Sequence, residues 1–137
     1  MAVVVVKTVR FDLRSDLDVV VARRGVSDWA KEIGLGTLDR TRIVTAASEL
    51  ARNTVVYGLG GFMSMELVRD VGRHGLRLTF EDQGPGIPNI DEALADGYST
   101  GGSMGLGLPG ARRLVNEFAV ASTVGVGTSV TVVRWKA

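Results

Sequence analysis

The sequence contains no cysteine, a single histidine and three lysines, and its formal net charge is only +1 at pH 7. Without cysteine there are no disulfides and no thiolate metal ligands. With His74 alone, an imidazole metal site would lack its second imidazole. Sixteen basic and fifteen acidic residues are spread along the chain without a basic block, whereas a nucleic-acid backbone calls for a clustered positive face. No nucleic-acid partner is expected. Long apolar runs are missing too. The run "AVVVV" stops at Lys7, nothing basic precedes it and Arg10 follows, so it reads as a strand and not as a leader. No stretch approaches the length of a membrane span. The expectation is a soluble, cytoplasmic protein with no membrane partner. At 137 residues, one domain over 1–137 is the natural reading, able to bury roughly two thirds of its unfolded surface.

What is present is a clear succession of elements. Residues 2–13 are β-branched and rich in valine, as a strand should be. In "SDLDVVVARRGVSDWAKEIG", Ser15 offers an N-cap and Gly25 an interruption, which predicts one broken helix or two short ones. Trp29 within it suits the core or an interface. Ile43, Ala46, Ala47, Leu50, Ala51 and Thr54 recur at helical spacing and predict a helix over 39–57 that Gly58 stops. "GFMSMELVRDVG" and "GLRLTFEDQ" flank Arg73 to Gly75 and read as a hairpin with His74 in its turn. A short helix over 90–96 is expected. "LPGARRLVNEF" reads as a further helix with Arg112 and Arg113 facing the surface or a partner. "AVASTVGVGTSVTVVRW" reads as a second hairpin around Gly125 to Gly127. Strands grouped in hairpins, with helices between the groups, predict an α/β fold: a two-layer sandwich in which helices cover one face of a mixed β-sheet.

Glycine is concentrated between Gly84 and Gly110. So long a stretch with little regular structure is either functional or a plain linker, and its Ile87, Leu94, Tyr98, Met104, Leu106 and Leu108 favour function. "GLGLPG" matches G-x-G-x-x-G formally. A dinucleotide fold, however, needs a strand just before the glycines and an acidic residue about 20 positions on, and "VGVGT" holds no carboxylate. What survives is the physical half of the motif: glycines opening a helix expose N–H groups at its positive end, which suits phosphate.

Three segments carry chemistry. "ELARN" places Glu49 and Asn53 one turn apart on a helix face. "DQGPG" puts Asp82 at a strand end, with Gly84 and Gly86 permitting close approach to the backbone. "STGGSMGLGL" supplies small residues, hydroxyls and amides. In this order the set resembles the GHKL ATPase/kinase superfamily, the ATP-binding fold of histidine kinases, Hsp90, gyrase B and MutL. "ExxxN" resembles its N box, "DxGxG" its first glycine box and "GxGxGL"-type sequence its second. "SELARN", "EDQGPGIP", "DGYST" and "GLGLPGARRLVNEF" bring the closer resemblance, to RsbT-type serine/threonine switch kinases of bacterial partner-switching pathways.

The resemblance implies an ATP site built from Asn53, Asp82, Gly84, Gly86, Ile87, Ser99, Thr100, Gly101, Gly102, Gly105, Leu106, Gly107, Leu108 and Thr128. Asn53 would ligate Mg²⁺, a hard cation that takes few protein oxygens beside phosphate and water. Asp82, an acceptor only, would take the adenine amino group and repel the guanine carbonyl; a solvated acidic turn is the bland alternative. Thr128 would support the adenine edge through water. Glu49 would act as general base, unless it merely pairs with Arg52. With no lysine in the glycine-rich segment, phosphate charge would fall to Mg²⁺, amides and Arg52. The implied activity is a serine/threonine kinase acting on STAS-domain antagonist proteins of the stressosome type. Once released, it would activate a PP2C-type phosphatase. An anti-sigma factor kinase of the same fold and a non-catalytic adaptor that retains ATP are the alternatives.

Overall fold

The computed structural model describes residues 3–95 and 107–136. Strand β1 (Val4–Leu13) leads into helix α1 (Asp16–Glu32), whose first turn is capped by the Ser15 hydroxyl accepting from the Asp18 N–H at 3.3 Å. Helix α2 (Thr37–Val56) follows, then β2 (Gly61–Asp70), β3 (Arg73–Asp82), the single turn α3 (Ile90–Ala93), α4 (Leu108–Arg113), β4 (Glu117–Thr123) and β5 (Gly127–Trp135). No helix among the described residues is long and apolar enough to cross a membrane.

The two-layer α/β sandwich is as expected. Helices α1 and α2 pack on each other and on one face of a five-stranded sheet of order β1-β2-β3-β5-β4. The sheet is not mixed, however, for all four strand pairings are antiparallel. The reason lies in the return hairpin. After β3 the chain crosses over through α4 and enters β4 at the edge, running in the same direction as β3. Strand β5 then turns back between the two and pairs antiparallel with both.

The core lies between the layers. The residues that the helical period singles out in α2 are the six that it buries: Ile43, Ala46, Ala47, Leu50, Ala51 and Thr54. The alanines let the helix approach closely, and Met63, Met65, Leu76, Leu78, Phe80 and Val132 fill the sheet side. Trp29 packs partly buried against this core, with the Lys7 ammonium 4.4 Å from its ring centroid. A satellite cluster of Val68, Val133 and Trp135 sits on the opposite sheet face.

Several local expectations are corrected. Helix α1 runs unbroken through Gly25, because the glycine makes room for a strand residue: a Cβ there would stand 2.6 Å from Cζ of Phe11. The first hairpin turns at Val71 and Gly72, both at positive φ, as two-residue hairpin loops require. Arg73, His74 and Gly75 are therefore strand residues. Gly75 lies under the Trp135 ring, where a Cβ would meet Cε3 at 2.6 Å. The short helix ends at Ala93, not near residue 96, and α4 ends at Arg113, because Glu117 and Phe118 are already paired in β4.

Candidate functional site

The C-terminal turns of α2, the end of β3 and the β4–β5 hairpin converge on one cavity of about 100 Å³. Its walls are apolar: Leu50, Phe80, Ile87, Leu108 and Val130, each at most 6 % exposed. Asn53, Asp82 and Thr128 supply polar groups at its lining. A mostly apolar cleft with a few convergent polar groups is the usual character of a small-molecule site.

Asp82 is held by backbone. Its Oδ1 accepts from the Gly84 N–H at 2.9 Å and from the Thr128 N–H at 3.3 Å. No hydrogen bond among the described residues engages Oδ2, which leaves an acceptor at the cavity wall. Its close neighbour is Gly58. A Cβ on Gly58 would stand 2.5 Å from Cγ and 2.6 Å from Oδ2 of Asp82. Gly84 in turn backs onto Gly58, whose Cα and carbonyl oxygen lie 2.8 Å from where its Cβ would be. The carboxylate thus occupies a slot that two glycines keep open.

The loop after β3 is stitched to the second hairpin. Gly86, at φ +81°, faces the Thr123 carbonyl so closely that a Cβ would stand 2.6 Å from its oxygen. The Gly125 N–H donates to the Pro85 carbonyl at 2.9 Å, and the Ile87 N–H donates to the Ser122 hydroxyl at 2.7 Å. Those bonds press Ile87 into the cavity wall.

Of the residues expected in the site, Asn53, Asp82, Gly86, Ile87, Leu108 and Thr128 line the cavity together, and Gly84 braces the Asp82 slot. Gly107 adopts the left-handed region at φ +69° as it opens α4, and a Cβ there would lie 3.0 Å from Oε2 of Glu49. Glu49 therefore borders the glycine-rich segment where that segment ends. Glu49 and Arg52 are both exposed and outside the cavity lining, and no ion pair joins them among the described residues. Ser99, Thr100, Gly101, Gly102, Gly105 and Leu106 lie outside the described residues.

Sequence reasoning missed Tyr57, Gly58 and Ser122. Gly58 reads as a helix stop, and nothing in one dimension says that it faces a carboxylate 24 positions on. Ser122 had a usable signal, since hairpin register places it opposite Thr128. The clear titration shift among the described groups lies elsewhere. On the open sheet face, the bond from Arg77 to Glu66 at 2.6 Å raises the guanidinium above its ordinary value, with no consequence near neutral pH.

Residues 38–137 match the family of histidine kinase-, DNA gyrase B- and HSP90-like ATPases. The chain is 46% identical over 123 residues to the serine/threonine-protein kinase RsbT of Bacillus subtilis, covering 90% of this chain and 92% of that one. It is 29% identical over 128 residues to the anti-sigma F factor of Geobacillus stearothermophilus, covering 88% and 86%. Among solved structures, the crystal structure of the RsbU and RsbW domains of a Mycobacterium tuberculosis protein shares the fold, with a TM-score of 0.62 at 20% identity; the match covers 96% of this chain and 33% of that longer one. The chain belongs to the histidine kinase-, DNA gyrase B- and HSP90-like ATPase family.

Proposed function

We propose that the protein is a serine/threonine kinase, a single ATP-binding domain that holds Mg-ATP in the cavity between α2 and β3. The observation that carries the reading is the Asp82 carboxylate at the wall of the apolar cavity: Oδ1 accepts from two N–H groups, while no hydrogen bond among the described residues engages Oδ2. An ionised carboxylate only accepts hydrogen bonds. It therefore suits the exocyclic amino group of adenine and opposes the carbonyl that guanine presents there. Ile87, Leu108 and Leu50 would enclose the purine, and Thr128 would support its edge.

Asn53 would ligate Mg²⁺ through its amide oxygen. The donor chemistry fits: Asn53 brings a hard amide oxygen to the cavity lining, and Mg²⁺ is content with one or two protein oxygens, phosphates and water. Bound there, the cation would neutralise phosphate charge. Glu49, one turn before Asn53, would take the proton of an incoming hydroxyl. That oxygen then bonds to the γ-phosphorus, the bond from the γ-phosphorus to the β–γ bridging oxygen breaks, and ADP leaves. Arg52 and the amides of Gly101, Gly102, Gly105 and Gly107 would meet the remaining charge.

The acceptor would be a serine or threonine of a STAS-domain antagonist in the cytoplasm. Phosphorylation would release the kinase to activate a PP2C-type phosphatase. The 46% identity to a kinase of that name, against 29% to an anti-sigma factor, favours this over an anti-sigma role. The test combines the protein, Mg-ATP and a STAS-domain protein and looks for phosphoserine or phosphothreonine. Transfer that Glu49→Ala abolishes while ATP binding persists supports the reading. ATP binding without transfer to any STAS protein would favour an adaptor, and co-purification with a sigma factor would favour the anti-sigma alternative.

A further inference from the structure

Helix α4 carries two pieces of the site at its start. Leu108 is buried in the cavity wall, and Gly107 just before it faces the Glu49 carboxylate. The helix has only six residues, about 9 Å of length, and one so short has no stability of its own. Leu108 and Ala111 bury its inner side, and it packs on α2. Apolar contact is non-directional. It holds α4 down without fixing how far the helix slides or turns along α2.

Directional bonds meet the chain where α4 ends. Three consecutive residues of β5 take hold of residues 114–116. The Arg134 guanidinium, anchored on Asp39 of α2 at 2.6 Å, reaches the Leu114 carbonyl at 3.4 Å. The Val133 carbonyl accepts from the Asn116 N–H at 2.9 Å, and the Trp135 N–H donates to Oδ1 of Asn116 at 2.7 Å. The Arg134 bond to Leu114 is long, and the Val133 bond is backbone that any residue but proline could make. Only the Asn116 side-chain bond is both short and dependent on residue type. Trp135 is 6 % exposed, so its N–H finds little water if that acceptor is removed. We propose that Asn116 is a positioning residue for the nucleotide site. Its amide oxygen moors the exit of α4 to β5 and thereby holds Leu108 in the cavity wall and Gly107 beside Glu49. Asn116 itself stands outside the cavity lining. The inference rests on the ATP reading of the cavity and adds to it a control exerted from the far end of α4. Without the mooring, α4 is in place in only a fraction of the molecules, and apparent ATP affinity falls by that fraction.

A bond that merely stabilises the fold would leave the ATP affinity of the folded protein unchanged. Titration calorimetry with Mg-ATP would therefore compare wild type, Asn116→Ala and Asn116→Asp, with urea unfolding to show that each is folded. Asn116→Ala should bind ATP roughly fivefold to tenfold more weakly. Asn116→Asp keeps an acceptor for the Trp135 N–H and should restore the affinity to within about twofold. Glu117→Ala is the control. It removes the acceptor of the Trp135 indole N–H, now bonded at 2.6 Å, and should lower resistance to urea while leaving ATP affinity as it was. An equal loss of affinity in Glu117→Ala would mean that any loosening of this sheet edge disturbs the site, and would overturn the inference. Unchanged affinity in Asn116→Ala, or a loss that Asn116→Asp does not restore, would overturn it too while leaving the ATP site intact. A wild-type chain that ignores ATP would remove both this inference and the function it rests on. Should Asn116→Ala not fold, Asn116→Ser keeps a polar side chain one bond too short to reach Trp135, and the same comparison applies.

Discussion

A glycine facing a carboxylate is the smallest unit on which the site depends. Gly58 follows the Tyr57 C-cap of α2 at the point where Asp82 needs space, with 2.5 Å between its virtual Cβ and the Asp82 Cγ. Gly58→Ala should therefore push the carboxylate out of its slot and weaken ATP binding by about tenfold or more, as overpacking costs roughly 1–3 kcal/mol. Gly110→Ala is the control. No described residue lies within 4 Å of its virtual Cβ, and it should leave affinity unchanged. Calorimetry on the two variants checks this, and equal affinities would contradict the slot. That Asn53, Asp82 and Ile87 meet at one cavity was legible in the sequence because each falls within a short motif of fixed spacing, whereas Thr128 came from the family resemblance alone. Gly58 was not legible, because its role arises from a contact between a helix end and a strand end 24 positions on that no local spacing encodes.

At the scale of elements, the same ambiguity of glycine explains where the expected boundaries failed. Glycine breaks regular structure when it stands alone, but Gly25 and Gly75 each lie beneath an aromatic ring supplied by another element, Phe11 and Trp135. Gly75→Ala distinguishes the two meanings. Its Cβ would meet both the Trp135 ring and, at 2.9 Å, the Arg134 carbonyl oxygen. The variant should lose about 1–3 kcal/mol in urea unfolding, where a turn position would show little change. Elements with a strong apolar period were read correctly, α2 most of all, since burial and period coincide. A second joint lies at the start of α2. The Arg134 guanidinium of β5, 15 % exposed, donates to Asp39 at 2.6 Å. Asp39→Ala removes the carboxylate and leaves that cation, among the described residues, only a long 3.4 Å bond to the Leu114 carbonyl, so a destabilisation of about 1–3 kcal/mol is expected in the same assay. A value near zero would mean that water replaces the contact.

For the whole molecule, the fold brings together a helix end, a strand end and a hairpin that lie far apart in sequence. The sandwich was readable from the order of the elements, whereas the antiparallel sheet was not. The insertion of β5 between β3 and β4 is a choice of strand order that hydrophobic pattern leaves open. That choice is what sets Thr128 opposite Asp82 and gives the carboxylate its second N–H donor. The most direct measurement is calorimetric titration of Mg-ATP and Mg-GTP into wild type and Asp82→Ala. Wild type should take ATP in clear preference to GTP. The variant should lose about tenfold to a hundredfold in ATP affinity and, with it, the preference. Equal uptake of the two nucleotides by wild type, or unchanged ATP affinity in the variant, would contradict the account.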